Sequence, residues 1–390
     1  MEADLRRTIE TLAAIERPAC SSGEHEAAEW LAARLAEAGC EVRIEDALAY
    51  DGYARPVGSL AALGVVAGLA ALRGRRVFGG VLAAAVAVGL AEDVSNGPRV
   101  FRRLTMKRQT TQNVVAVAGD RDTDRTLVVL AHHDAPPTGA VFDQGPQKRL
   151  WERFPALVDR TDTSLPLWWP VFGAPALTSI SAALDRRGLV ALGTVLSGLT
   201  VLSMLDIARG SVVPGANDNL SGVAGLVAVA EALRERPVRG LRVLLVSCGA
   251  EEVLQGGIRP FADRHFGALP RDRTWFVNLE TVGSPHLALV EGEGTVAMRE
   301  YEAGFKDLVA DEAAAGGISL RRGLRSRSST DSVIPSRAGY PVATVISITP
   351  WKALANYHWP TDVPENVDYS TVASAVALAE RVARRLAAGP

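Results

Sequence analysis

"RTLVVLAHHDAPPT", Arg125 to Thr138, runs from a nearly unbroken apolar stretch straight into His132, His133 and Asp134. A short apolar run bounded by polar turn residues reads as a buried strand, so these chemically capable side chains sit at a strand end. Just upstream, "NVVAVAGD" (113–120) reads as a second buried strand, joined to the first by the polar turn "DRDTD".

Working outward, residues 1–50 read as helix, loop, helix, strand. In "SSGEHEAAEWLAARLAEAG" serines supply an N-cap, Trp30, Leu31 and Leu35 recur at helical spacing and Gly39 stops the helix; "CEVRIED" then alternates like a strand. From Ser211 onward come a helix in "LSGVAGLVAVAEALRE", the strand "LRVLLVSCG", a helix near 253–266 and the strand "TWFVNLETVG". A helix around 296–314, the strand "PVATVISI" and an amphipathic helix to Leu386 complete the chain. Strands alternating with helices predict an α/β fold, a mixed, mainly parallel sheet with helices on both faces. In such sheets chemistry collects at the carboxyl ends of the strands.

That rule gathers scattered residues into one site. His132 and Asp134 follow "LVVLA", Asp218 lies in "VPGANDNLSG", Glu251 and Glu252 follow "LLVSCGA", Glu280 ends "WFVNLE" and His358 lies in "NYHWPTD". Carboxylates and histidines converging on one sheet edge repel or titrate unless cations sit between them, and metal is the simplest remedy. His133 and His265 read as packing or surface residues, Cys248 as a small core residue. "EGEG" (291–294) is a turn rather than a phosphate loop, and neither a Walker A pattern nor GxGxxG occurs.

The ordered motifs "HHD", "GANDNLSG", "AEE", "NLE" and "NYHWPTD" resemble the M28 family of zinc-dependent exopeptidases, over residues 1–50, 109–136 and 212–386. The resemblance implies the zinc-exopeptidase, phosphorylase/hydrolase-like fold and a pair of zinc ions about 3.5–4 Å apart. It implies that Asp218 bridges them, with Glu252 and His358 completing one ion and His132 and Glu280 the other. Imidazole nitrogen and carboxylate oxygen suit zinc, and an open position distinguishes a catalytic from a structural site. Asp134 then orients the His132 imidazole. Glu251 matches the general base of an aminopeptidase hydrolysing N-terminal residues of peptides through a metal-activated water, and Tyr357 matches a position that helps hold the oxyanion. Ser329, Thr330 and Asp331, in "SRSSTDSVIPSRAGYP", match a segment of the substrate pocket wall. The chain departs from the pattern at Glu280, commonly aspartate, and in "VLQGGIRPF" after the glutamates.

The largest departure is length: 86 residues separate His132 from Asp218, far more than the family has. The extra residues carry charge-free stretches. Pro56–Leu72 and Val77–Ala91 are joined by "RGRR", and Leu167–Leu184 and Leu189–Leu205 by "DRRG". The expected organisation is a discontinuous peptidase domain (1–50, 109–137 and 212–390) with two inserted apolar hairpins, 52–108 and 138–211, forming an all-α four-helix subdomain. Stretches of 15–18 residues span about 23–27 Å against a ~30 Å hydrocarbon core. Their lack of a polar face, their Gly and Ala content and the Trp168–Trp169 pair favour a multi-pass, membrane-embedded bundle through 56–91 and 167–205. The alternative is a soluble cytoplasmic protein whose apolar helices are buried in a homo-oligomer or shield the site. Basic residues Arg99, Arg102, Arg103, Lys107, Arg108, Lys148 and Arg149 on the domain side outnumber Arg73, Arg75, Arg76, Arg186 and Arg187 at the tips, which favours a cytoplasmic peptidase domain.

Composition narrows the classes. A net charge of -2 over 390 residues argues against nucleic acid as partner, and three separated cysteines make no disulfide framework. The N-terminal "MEADLRRTIETLAAIE" reads as an amphipathic helix rather than a secretory signal. Two other functions remain open at this level: a single-zinc acyl transferase resembling the glutaminyl cyclases, and a non-catalytic scaffold or receptor of the same fold.

Overall fold

The structure is a computed structural model and describes residues 1–389. Helices α1 (Glu2–Ala13) and α2 (Ser22–Glu37) precede strand β1 (Glu41–Ala49). Ser21 caps α2 by accepting the Glu24 N–H, and Gly39, at φ 86°, supplies the left-handed residue that ends it. Helices α3 (Ala54–Leu72), α4 (Arg76–Val94) and α5 (Val100–Thr105) follow, then β2 (Gln109–Gly119) and β3 (Thr126–His132). Between β3 and α10 (Leu220–Glu235) lie α6 (Gly145–Arg153), α7 (Pro155–Asp159), α8 (Trp169–Ala183) and α9 (Arg187–Ile207). The remainder alternates as β4 (Arg242–Cys248), α11 (Ile258–His265), β5 (Thr274–Glu280), β6 (His286–Glu293) and β7 (Arg299–Glu300). Helix α12 (Ala303–Ala315), β8 (Arg321–Ser326), α13 (Val333–Arg337), β9 (Val342–Ile348) and α14 (Tyr369–Ala387) close the chain.

The strands form one mixed sheet, ordered β1-β2-β4-β3-β5-β9-β6-β7, with β8 also paired to β6. Its centre, β4-β3-β5-β9, is parallel, while β2 joins β4 and β6 joins β9 antiparallel. Strand β3 is buried along its whole length, and its side chains alternate between two cores. Leu127, Val129 and Ala131 pack under α1, α2, α10, α12 and α14, whereas Val128 and Leu130 pack with Ile258 and Phe261 of α11 on the other face. Because the central strands run the same way, His132, Cys248 and Glu280 end on one edge. His132 stands level with Cys248 across β3 and β4.

Two predicted helices start late. In place of helix from 253, residues 251–253 form a 3-10 turn, and Leu254 and Gln255 take left-handed backbone conformations. The region near 296 instead forms β7, and α12 begins only where Glu302 caps the N–H groups of Gly304 and Phe305.

The apolar stretches are helices α3, α4, α8 and α9, which contact one another in a ring: α3 packs on α4 and α9, and α8 on the same two. Close packing depends on small residues. A Cβ on Gly68 would lie 1.9 Å from Thr194 Oγ1, and one on Gly79 2.5 Å from the Ala67 carbonyl oxygen. The outer surface remains apolar, with Val66, Phe78, Val81, Val88, Ile180, Leu199 and Leu202 all exposed. Three of these helices, α3, α4 and α9, are 19, 19 and 21 residues long and are apolar and long enough to cross a membrane. Helix α8, at 15 residues, is shorter than the predicted stretch, because residues before Trp169 form a turn.

One sequence expectation changes here. Arg102 is fully buried against Asp93, and buried Arg99 donates to Asn96 and the Leu254 carbonyl, so neither is a free membrane-proximal charge. Without them the domain side and the hairpin tips carry equal numbers of the cations counted above, and the charge argument for a cytoplasmic domain loses its basis.

Candidate metal centre

Each predicted ligand reaches the sheet edge by a different route. His132 and Glu280 are the last residues of β3 and β5. Asp218 precedes Asn219, which caps α10 by accepting the Gly222 N–H, holds the Thr281 N–H with the same oxygen and donates to the Leu279 carbonyl. Glu251 and Glu252 occupy the turn after β4, and His358 the loop after β9. All six are buried.

Their donor atoms form two sets sharing Asp218. His132 Nε2 lies 3.4 Å from Asp218 Oδ1 and 3.3 Å from Glu280 Oε1. His358 Nε2 lies 3.4 Å from Asp218 Oδ2 and 3.1 Å from Glu252 Oε2. Donors held about 2.0–2.2 Å from a tetrahedral zinc sit about 3.3–3.6 Å from one another, so three of the four spacings match zinc ligands and the fourth, His358 to Glu252, is slightly shorter. In addition, both nitrogens of His358, Asp218 Oδ2 and Glu252 Oε1 are buried without a hydrogen-bond partner among the described residues. Close atoms that do not bond each other are aimed at a common point, and buried polar atoms are rarely left so. The residues therefore fit a metal. Ligand atoms of His132, Asp218 and Glu252, drawn from both sets, also fall within 4.8 Å of one another.

The electrostatics agree. Burial alone would lower the pKa of His358, but Glu252 and Asp218 outweigh it and push it up to about 9; His132 is raised in the same way by Glu280 and its neighbours. Burial drives Glu252 up to about 7, and burial with nearby carboxylates carries Glu251 well above the usual range. Against its own burial, Asp218 is held low by the two histidines. Anions and imidazoles thus compete for protons that a divalent cation would replace.

Around this centre the other predicted residues fall as follows. Asp134 lies 3.3 Å from His132 Nδ1, out of line for a hydrogen bond. Its oxygens instead accept the N–H groups of Glu251 and Glu252, both at 3.0 Å, so it positions the turn carrying those glutamates. Glu251 Oε2 stays 4.0 Å from His132 Nε2, while Oε1 accepts from Gln255 at 2.7 Å. The Tyr357 ring stacks on His358 at 3.9 Å, and burial beside Asp218, Glu252 and Glu251 raises its phenol well above the usual range. Ser329 bonds Gln255, and Thr330 bonds Glu293. Asp331 is buried beside Cys248, both its oxygens without a geometrically good hydrogen bond among the described residues, its pKa pushed up to about 8 by burial. His133 turns away, bonding Ser247 Oγ at 2.9 Å, and His265 pairs with Glu45.

Three residues here carried no assigned role in the sequence. Asp362, in "NYHWPTD", accepts the N–H groups of Asn217 (2.7 Å) and Asp218 (3.1 Å). Glu24 accepts the Ala250 N–H at 2.7 Å. Arg17, fully buried, donates to the carbonyls of His133 and Gly215, tying the β3 end to the Asp218 loop. Their order in the motif could have flagged Asp362 alone; Glu24 and Arg17 sit in a helix and a loop that look ordinary.

Comparison with known proteins follows the same lines. The model of Peptidase family M28 matches residues 199–383. No curated protein sequence matches the chain. Among solved structures, a zinc aminopeptidase from Bacillus subtilis aligns at TM-score 0.57 and 15% identity, covering 98% of this chain and 94% of that one. A glutaminyl cyclase from Bacteroides thetaiotaomicron aligns at TM-score 0.60 and 12% identity, covering 98% and 97%. A Zn-dependent exopeptidase from Parabacteroides distasonis aligns at TM-score 0.57 and 12% identity, covering 100% and 98%. At such identities these neighbours establish the fold, and the stretch 199–383, which takes in Asp218, Glu251, Glu252, Glu280 and His358, is similar to Peptidase family M28.

Proposed function

We propose that the protein is a membrane-associated di-zinc aminopeptidase. The observation that carries this reading is the division of Asp218 between two donor sets, His132 with Glu280 and His358 with Glu252. Zinc ions held there supply Lewis acidity and lower the pKa of water from about 15.7 toward 7. Glu251, bound among the described residues through Oε1, keeps Oε2 available to take a proton from the attacking water. As the scissile C–N bond breaks, Glu251 returns that proton to the departing amine. Tyr357, kept protonated by its surroundings, donates to the developing oxyanion. Ser329, Thr330 and Asp331 line the substrate side.

The N-terminal specificity follows the neighbour of that activity, the Bacillus subtilis aminopeptidase. The inserts 52–108 and 138–211 are read as additions to a peptidase domain of 1–50, 109–137 and 212–390, and their exposed apolar helices as the membrane attachment. The glutaminyl cyclase neighbours favour a second reading, a single-zinc acyl transferase.

One experiment separates these readings. The detergent-purified protein is analysed for zinc per chain and assayed for aminoacyl-arylamide release with and without chelator. Two zinc ions and chelator-sensitive release are expected. One zinc with cyclisation of an N-terminal glutamine supports the second reading, and absence of bound metal refutes both. Alkaline extraction of membranes tests the attachment: the protein stays in the pellet, whereas release to the supernatant favours the soluble alternative.

A further inference from the structure

The loop carrying the general base is held by the first inserted hairpin. Asn96 lies just beyond α4, where the chain returns from the hairpin, and is buried. Its Oδ1 accepts from Arg99 Nη2 at 2.8 Å and from Arg259 Nη2 at 2.9 Å. A guanidinium can only donate, so these two contacts fix which end of the Asn96 amide is oxygen. The amide nitrogen must then face Gln255, and donates to its Oε1 at 2.6 Å. That contact orients the second amide in turn. Gln255 Nε2 is left to donate to Glu251 Oε1 at 2.7 Å and to the Ser329 carbonyl at 2.8 Å. Polarity thus runs one way, from two arginines through two amides to one oxygen of Glu251.

The backbone is shaped around this joint. Asn96, Arg99, Leu254 and Gln255 all have positive φ, of 61°, 54°, 74° and 59°. Left-handed conformations are unfavourable for such residues and persist only where the surroundings over-determine them. Further clamps hold the same joint: Arg102 donates to the Val253 carbonyl, and Arg337 to the carbonyls of Ser95 and Asn96.

We propose that Asn96 and Gln255 are positioning residues for Glu251, so that the inserted hairpin completes the peptidase site in addition to attaching it to the membrane. The inference rests on the reading of Glu251 as the base. One oxygen of that carboxylate accepts from Gln255, which orients the group and leaves Oε2 turned toward the candidate metal site, 4.0 Å from His132 Nε2.

The test uses the full-length protein. Asn96→Asp keeps the acceptors for Arg99 and Arg259 but offers an oxygen where Gln255 needs a donor, which turns the Gln255 amide and sets its oxygen against Glu251. Gln255→Met removes the donor from the other end at similar volume. Displacing a catalytic group by about 1 Å costs on the order of 100-fold, so kcat is expected to fall about 10- to 100-fold in each variant. KM and zinc per chain stay as in wild type, and each variant still folds, with a modestly lower melting temperature from the mispaired buried amide. In the metal-free protein, hydrogen exchange of residues 250–256 speeds up by about tenfold in Asn96→Asp, a readout independent of turnover. Arg103→Gln, exposed on the same segment, changes neither. If either variant retains two zinc ions and kcat within twofold of wild type, or if exchange is unchanged, the relay is wrong. If wild type itself lacks chelator-sensitive hydrolysis, the function reading fails instead, and the exchange arm still decides the joint.

Discussion

Asp362→Asn isolates the support of Asp218, the proposed shared ligand. In the native protein its two oxygens accept the N–H groups of Asn217 and Asp218, at 2.7 and 3.1 Å, and the side chain is 1% exposed. Asparagine keeps the shape but presents an NH2 to one of those N–H groups. One charge-assisted hydrogen bond is lost and a buried donor is left facing another donor, a cost of about 2–3 kcal/mol. The backbone of Asp218 is the group displaced, and Asp218 supplies an oxygen to each donor set. Passed to the metal-binding geometry, that cost weakens zinc binding roughly 30- to 150-fold, at about 1.4 kcal/mol per tenfold. Fully buried Arg17 also loses Asp362, the largest of the charges opposing its own desolvation, so the metal-free protein melts lower. Competition titration against a chromophoric chelator reads the affinity, and calorimetry the melting temperature. Zinc affinity within threefold of wild type, with unchanged melting, would mean that Asp362 does not position Asp218.

Three further outcomes are expected. Glu251→Gln retains its zinc but loses about 10²- to 10⁴-fold in kcat; wild-type turnover in that variant refutes its role as base. His133 is fully buried with its pKa pulled down to about 4, first by burial, whereas the unfolded residue titrates near 6.5. The unfolded state therefore binds more protons between those values, so this contribution of about 3 kcal/mol is complete above pH 6.5 and lost as pH falls toward 4. Urea titrations of the metal-free protein show the loss, and His133→Asn, which keeps a partner for Ser247, removes it; an identical pH slope in the variant contradicts the assignment. Gly68→Val drives a side chain into Thr194, costing about 1–3 kcal/mol of bundle packing; unchanged melting in detergent would show that α3 and α9 do not pack there.

The fold and the convergence of the candidate ligands on one sheet edge were legible because both leave local marks. An apolar run ending in a polar pair, as in "LVVLAHHD", records a buried strand and its exposed end within ten residues. What stayed hidden acts through the backbone or over long separations. Asp134 was expected to face His132, yet its oxygens bind the main-chain N–H groups of Glu251 and Glu252, 117 and 118 residues away. Sequence spacing carries no trace of a contact whose partner is an amide, since every residue but proline has one. The late start of α11 escaped for a related reason: "VLQGG" has no strong helix breaker before Gly256, and tertiary bonds from the hairpin joint hold Leu254 and Gln255 left-handed.

These hidden contacts share a logic. Asp134, Asp362 and Glu24 each use a buried carboxylate to grip the main-chain N–H of residues at or beside the ligands: Glu251 and Glu252, Asn217 and Asp218, and Ala250. Fixing the backbone in this way orders the candidate ligand side chains in advance, so less conformational freedom would be lost on binding an ion. Acidic groups placed for that purpose crowd the sheet edge, and burial with a neighbouring carboxylate pushes Glu24 and Asp362 each up to about 8. Arg17 offsets the crowding only in part, because its own donors are spent on carbonyls. The same carboxylates that preorganise the centre therefore raise its demand for cations, which explains why a site built so far inside the protein leaves histidine nitrogens and carboxylate oxygens without partners of their own.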